Sequence, residues 1–245
     1  MTPFVVAGMP RTGSSLVLLS LAAHPQVRVF GELFHPWASP RPGAGPAEDD
    51  RFDESLEGAL AFLDRAVWPL ASAGRPVVGF KLFVSHTRSP GTQGLFDRLC
   101  DHVAGLRVIH CYRPNYLDVW VSLKKAEASG VWAQARGARP PPPARALSPA
   151  AQELESFFAE MEGADALLRS LRPRAVCQVV EYEDLASDYA AVLGSLWRFL
   201  GVPALELSPP LEKQNVALHS DFLDNHAALQ DHFAGTRFAR FFGAK

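Results

Sequence analysis

The ten residues AGMPRTGSSL, numbered 7 to 16, hold the densest chemistry in the chain. Gly8, four intervening residues, Gly13 and two hydroxyl residues match the spacing of a phosphate-binding loop, except that Ser14 stands where that loop's lysine belongs. A strand that turns through glycines into a helix presents backbone N–H groups and the positive end of the helix dipole to an anion, so oxyanion binding survives without the lysine. Ser14 and Ser15 add hydroxyl donors. Arg11 adds a guanidinium fork able to chelate two oxygens of a phosphate or sulfate. In a nucleoside triphosphatase the lysine reaches the terminal phosphates, a Ser/Thr holds magnesium and a second strand ends in a metal-binding aspartate. Here the next strand-like segments end at Ser85-His86 and Arg113-Pro114, and only the last closes on acids, Glu181, Glu183 and Asp184. The pattern favours an anion site that works without metal. A plain strand-to-helix connection is the other meaning such glycines can have.

Positioning that loop requires alternating strands and helices, and the sequence supplies both. Apolar runs predict strands at Phe4–Ala7, Val77–Val84, Leu106–Tyr112 and Val176–Tyr182, short and hydrophobic enough for a buried, mostly parallel sheet. Helical periodicity marks Ser14–Ala23, Phe52–Ala71, Leu95–Val103, Asn115–Ala128, Gln152–Leu171 and Asp188–Leu200, the last closed by Gly201 and Pro203. The expected architecture is a three-layer α/β fold of P-loop type, with a central parallel sheet flanked by helices, in one domain spanning 1–245. Two Pro/Gly-rich stretches, 39–50 and 135–149, read as loops able to lie over a site. Trp120, Trp132 and Phe80 are readable either as core or as stacking platforms. Phe238, Phe241 and Phe242 read as a docking face.

Composition narrows the partners. A chain of 245 residues, 48% hydrophobic and formally −2 in charge, has core enough to fold but no general positive field to hold nucleic acid or a membrane surface. Three scattered cysteines, Cys100, Cys111 and Cys177, suit neither a disulfide framework nor a zinc site. No apolar run approaches a membrane span, and the short N-terminal one lacks the form of a signal segment, which predicts a cytoplasmic location.

AGMPRTGSSL, GELFHP (31–36), RPNY (113–116) through Ser122, EYEDL (181–185), FLGVP (199–203) and Lys213-Gln214 before Asn225, in this order, resemble the sulfotransferase superfamily, nearest its bacterial carbohydrate and small-molecule branches. The resemblance implies 3′-phosphoadenosine 5′-phosphosulfate as donor and a carbohydrate or small-molecule hydroxyl, less readily an amine, as acceptor, with no metal. It implies that Arg11, Thr12, Gly13, Ser14 and Ser15 hold the 5′-phosphosulfate and that Arg113 and Ser122 hold the 3′-phosphate. Arg113 and Ser122 stand nine positions apart, one more than in many members. Lys213 matches a late segment on the nucleotide or product side. For the general base the resemblance implies Glu32, in GELFHP, or His86, near the position of a catalytic histidine in the cytosolic branch, with His35 third. Glu32 is preferred because burial can raise a carboxylate toward neutrality. The competing reading is a P-loop nucleotide binder or kinase-like phosphotransferase using ATP or GTP, in which Arg11 replaces the lysine.

Overall fold

The computed structural model describes residues 1–35, 55–88, 91–139, 145–212 and 219–243. The chain opens with β1 (Thr2–Gly8), α1 (Ser14–Ala22) and β2 (Val27–Glu32), and continues through α2 (Leu56–Phe62), β3 (Val77–Phe83) and α3 (Leu95–His102). Then follow β4 (Arg107–Tyr112), α4 (Tyr116–Ser129), α5 (Ala151–Ser170), β5 (Val176–Glu181), α6 (Tyr182–Ser187), α7 (Tyr189–Leu200) and α8 (His226–Phe233). The five strands form one sheet in the order β2-β3-β1-β4-β5, every pairing parallel.

Alternation along β1 divides the apolar residues between two layers, because successive side chains of a strand point to opposite faces. Val5 and Ala7 join a core with Leu99, Trp120, Phe158 and Phe233, from α3, α4, α5 and α8. Phe4 and Val6 join the other with Val17 and Leu21 of α1 and Leu196 and Trp197 of α7. The sheet is therefore sandwiched, as the sequence predicts. The C-terminal phenylalanines dock inward: Phe233, Phe238, Phe241 and Phe242 surround Phe158, with Phe241 at 4.9 Å between ring centroids.

The differences from the sequence-based expectation have local causes. The predicted helix over 52–71 runs as α from Leu56 to Phe62, then as a π turn (Leu63–Val67) and a 3-10 turn (Trp68–Leu70); Pro69, which has no N–H to donate, lies in that last turn. β3 stops at Phe83, and Val84–Thr87 forms a 3-10 turn, so His86 sits beyond the strand. β2 is an element that periodicity missed: VRVFGE is short, carries two charges and a glycine, and follows a turn at once. The Pro/Gly stretch 39–50 lies outside the described residues. The described ends of the second stretch are tied down by bridges from Ala135 to Leu211 and from Leu147 to Leu223. Among the described residues, no helix is long and apolar enough to cross a membrane.

Candidate active site

A cavity of about 800 Å³ opens at the carboxyl ends of β1, β3 and β4, where Gly13, Ser14, Ser15, Lys81, Phe83 and Arg113 line it. Such a position is where open parallel sheets place ligands: loops leave adjacent strands in opposite directions and leave a crevice.

The loop after β1 owes its shape to backbone conformations few residues adopt. Gly13, the N-cap of α1, has φ +87°, and Arg11 at φ +69° is the only left-handed non-glycine among the described residues. A Cβ on Gly13 would lie 2.9 Å from Tyr182 Cδ2, so both conformation and space demand glycine there. Thr12 is buried and donates its hydroxyl to the Met9 carbonyl at 2.7 Å. Its side chain therefore fixes the turn rather than facing the cavity, unlike the neighbours with which the sequence grouped it. No side chain caps α1, so its first-turn N–H groups stay available at the cavity wall.

Arg11 crosses the crevice. Its Nε donates to Ser122 Oγ at 2.9 Å and its Nη1 to the Trp132 carbonyl. Burial lowers the guanidinium pKa from its usual value; nearby Arg113 lowers it further and Tyr182 opposes both. Thus Arg11 and Ser122, assigned by sequence to opposite ends of a nucleotide, meet directly. Ser122 and Arg113 both face the cavity, and the nine-residue separation is accommodated because Asn115 caps α4 by accepting from the N–H groups of Leu117 and Asp118. Arg113 is no surface residue: at 4% exposure its guanidinium lies 4.5 Å from the Tyr182 ring centroid and pairs with Asp118 and Glu183. Glu183 and Asp184 occupy the first turn of α6, and Glu183 also holds Arg113.

On the β3 side, a cation missing from the sequence-based assignment fills the lysine position. Lys81 lies opposite Val6 in the parallel register, is 6% exposed, and donates from Nζ to Ser15 Oγ at 3.1 Å. The same Nζ is 2.7 Å from Glu32 Oε1. This contact depends on a bulge. The β2–β3 register runs Phe30↔Phe80 and then Glu32↔Lys81, so Gly31 is the extra residue that brings Glu32 level with Lys81. The signal for Lys81 was present in the sequence as a lone charge within the apolar run GFKLFV.

Glu32 Oε2 lies 3.6 Å from His86 Nε2. The Phe83 N–H donates to His86 Nδ1 at 3.4 Å, which leaves the imidazole hydrogen on Nε2, facing Glu32. Burial, against the pull of Glu32, pushes the His86 pKa down to about 4. His86 is thus neutral, with its Nε2 hydrogen on the side of Glu32 but beyond hydrogen-bond distance. Glu32 is a quarter exposed, partly buried as the sequence reading supposes, and ion-paired to Lys81. His35 packs edge-on against His86, with centroids 5.1 Å apart. Ligand atoms of Glu32, His35 and His86 lie within 4.8 Å of one another. The hydrogen on His86 Nε2 and the ammonium on Glu32 both oppose a cation there. Lys213 lies outside the described residues, although Leu211 and Glu212 just before it line the cavity. Of the aromatics, Trp120 and Phe80 are core, whereas Trp132, 52% exposed, stands at the cavity wall.

Known proteins resemble this chain over nearly its whole length. Nodulation protein H from Rhizobium tropici is 30% identical over 98% of this chain and 92% of its own length. Nodulation protein H from Rhizobium meliloti is 26% identical over 98% and 94%. A crystal structure of a sulfotransferase from Alicyclobacillus acidocaldarius shares the fold at a TM-score of 0.53 and 16% identity, covering 96% of this chain and 92% of that one. The family model described as "Sulfotransferase family" matches residues 3–206, and with that match over most of the chain, the protein belongs to the sulfotransferase family.

Proposed function

We propose that the protein, acting as one domain, transfers a sulfuryl group from 3′-phosphoadenosine 5′-phosphosulfate to a hydroxyl of a carbohydrate or small-molecule acceptor, with Glu32 as general base. The observation that carries this reading is the bridge Glu32–Lys81–Ser15, which joins a carboxylate to the anion-binding loop across one cavity. In this reading the first turn of α1, with Ser14 and Ser15, cradles the 5′-phosphosulfate, and Arg11 and Lys81 supply positive charge. Arg113 and Ser122 receive the 3′-phosphate.

The acceptor oxygen attacks sulfur while its proton passes to Glu32. The bond from sulfur to the bridging phosphate oxygen breaks, and adenosine 3′,5′-bisphosphate leaves with that electron pair. Charge grows on the bridging oxygen, beside the helix terminus and the two cations, where preorganised donors stabilise it most. The group that leaves is a phosphate, already a good leaving group, so the chain's own cations can serve without a metal. His86, neutral and with Nδ1 accepting from the Phe83 N–H, does not compete for the proton. The face of Trp132 and the polar groups of Gln134 and Glu212 suit a sugar ring. Three free cysteines support a reducing, cytoplasmic setting.

The test is a thermal-shift comparison of adenosine 3′,5′-bisphosphate with ATP plus magnesium. Stabilisation by the bisphosphate in the absence of magnesium is expected. Stabilisation by Mg-ATP alone would sink the donor assignment.

A further inference from the structure

Arg113 is the cation to which the donor's 3′-phosphate is assigned above, and what holds it is unusually well defined. A guanidinium has five N–H donors. Three of them are committed: Nε to Glu183 Oε1 at 2.9 Å, Nη2 to Asp118 Oδ2 at 3.0 Å and Nη1 to the Asp118 carbonyl at 3.4 Å. Arg113 lines the cavity, whereas Asp118 does not, so the carboxylate grips the guanidinium from behind. The second oxygen of that carboxylate, Oδ1, lies 2.5 Å from His219 Nε2. His219 is 6% exposed and comes from a 3-10 turn 101 residues further along the chain, with no place in the cavity wall.

We infer that His219 is a positioning residue for the nucleotide's phosphate ester, acting through Asp118 on Arg113. The inference rests on the reading that Arg113 receives the 3′-phosphate. A carboxylate gripped at both oxygens keeps its plane, and His219 supplies a grip on Oδ1. With Oδ1 held by His219, the Asp118 plane is set, Oδ2 stays aligned with Nη2, and the remaining N–H donors are presented to the cavity. Fork recognition of a phosphate depends on orientation as well as charge, so an arginine that swings loses more than a lysine would. The arrangement also makes the C-terminal segment a part of donor recognition. A purely structural role, that of partnering a buried carboxylate, would change stability without changing which nucleotide is preferred.

The experiment is titration calorimetry of the full chain with adenosine 3′,5′-bisphosphate and with adenosine 5′-monophosphate, using wild type, His219→Leu and His219→Gln. Wild type should prefer the bisphosphate. His219→Leu should cut that preference about tenfold by weakening bisphosphate binding, leaving the monophosphate within about twofold, the size of coupling expected within one hydrogen-bond network. His219→Gln, whose amide N–H can replace the imidazole donor, should restore most of it. If His219→Leu does not fold, Asp118→Asn carries the same expectation. A variant that keeps the full preference, or loses both ligands equally, overturns the inference while leaving Arg113's role intact. Indifference of wild type to the 3′-phosphate overturns the Arg113 assignment and this inference together.

Discussion

At the scale of single residues, the site turns on Lys81. A phosphate-binding loop normally carries its cation in its own sequence; here the ammonium arrives from the neighbouring strand and reaches Ser15 at 3.1 Å and Glu32 at 2.7 Å. Two variants separate the roles. On the proposed reading Glu32→Gln removes the general base and should lower kcat by about 10²–10⁴-fold, with affinity for adenosine 3′,5′-bisphosphate unchanged. Lys81→Met removes the ammonium between Ser15 and Glu32, which on the same reading faces the sulfuryl group, and should lower kcat by about 10²–10³-fold. Steady-state kinetics beside calorimetry checks both, and normal turnover by Glu32→Gln would return the base to another residue. Arg11, Gly13, Ser14 and Ser15, which line the cavity, were legible as a turn into a helix because turn chemistry is local. Lys81 was not, because its importance depends on a neighbour 66 positions away. Nor was the pairing of Asp118 with His219, which joins residues 101 apart.

At the scale of elements, two short distortions set the geometry: the left-handed turn into α1 and the bulge at Gly31. The turn is the more easily tested. Gly13→Ala would force a Cβ into φ +87° and against the Tyr182 ring at 2.9 Å. It should cost about 1–3 kcal/mol of stability, by the usual penalty for strained backbone, and weaken bisphosphate binding as the turn relaxes. Denaturant unfolding and calorimetry measure the two effects; a variant as stable and as tight as wild type would contradict the argument. Most elements were legible because their apolar periods are long. β2 was not: only pairing with β3 makes a strand of VRVFGE, and only the bulge within that pairing sets Glu32 beside Lys81.

At the scale of the whole molecule, buried histidines tie stability to pH. His86 and His110 both have their pKa pushed down to about 4, chiefly by burial, with Glu32 and Asp165 respectively pulling the other way. Unfolding returns each to its ordinary value of 6.5, so between pH 6.5 and about 4 the unfolded chain binds more protons than the folded one. The stabilisation is complete above pH 6.5 and is lost as pH falls toward 4, at up to about 1.4 kcal/mol per pH unit for each histidine. Scanning calorimetry across that window should show a falling Tm, and a flat profile would contradict the assignment of both as neutral.

The sequence by itself determined the alternating α/β class, the parallel sheet, the glycine turn into α1 and the family, since each rests on local period, turn chemistry or motif order. Only the tertiary structure decided what acts on what. It set Lys81 between Ser15 and Glu32, left the hydrogen of His86 on the side of Glu32, brought Arg11 onto Ser122, and put His219 behind Arg113. The physical reason is that charge and proton placement depend on distances of about 3 Å between strands and helices far apart in the chain, and those follow from register and packing rather than from composition.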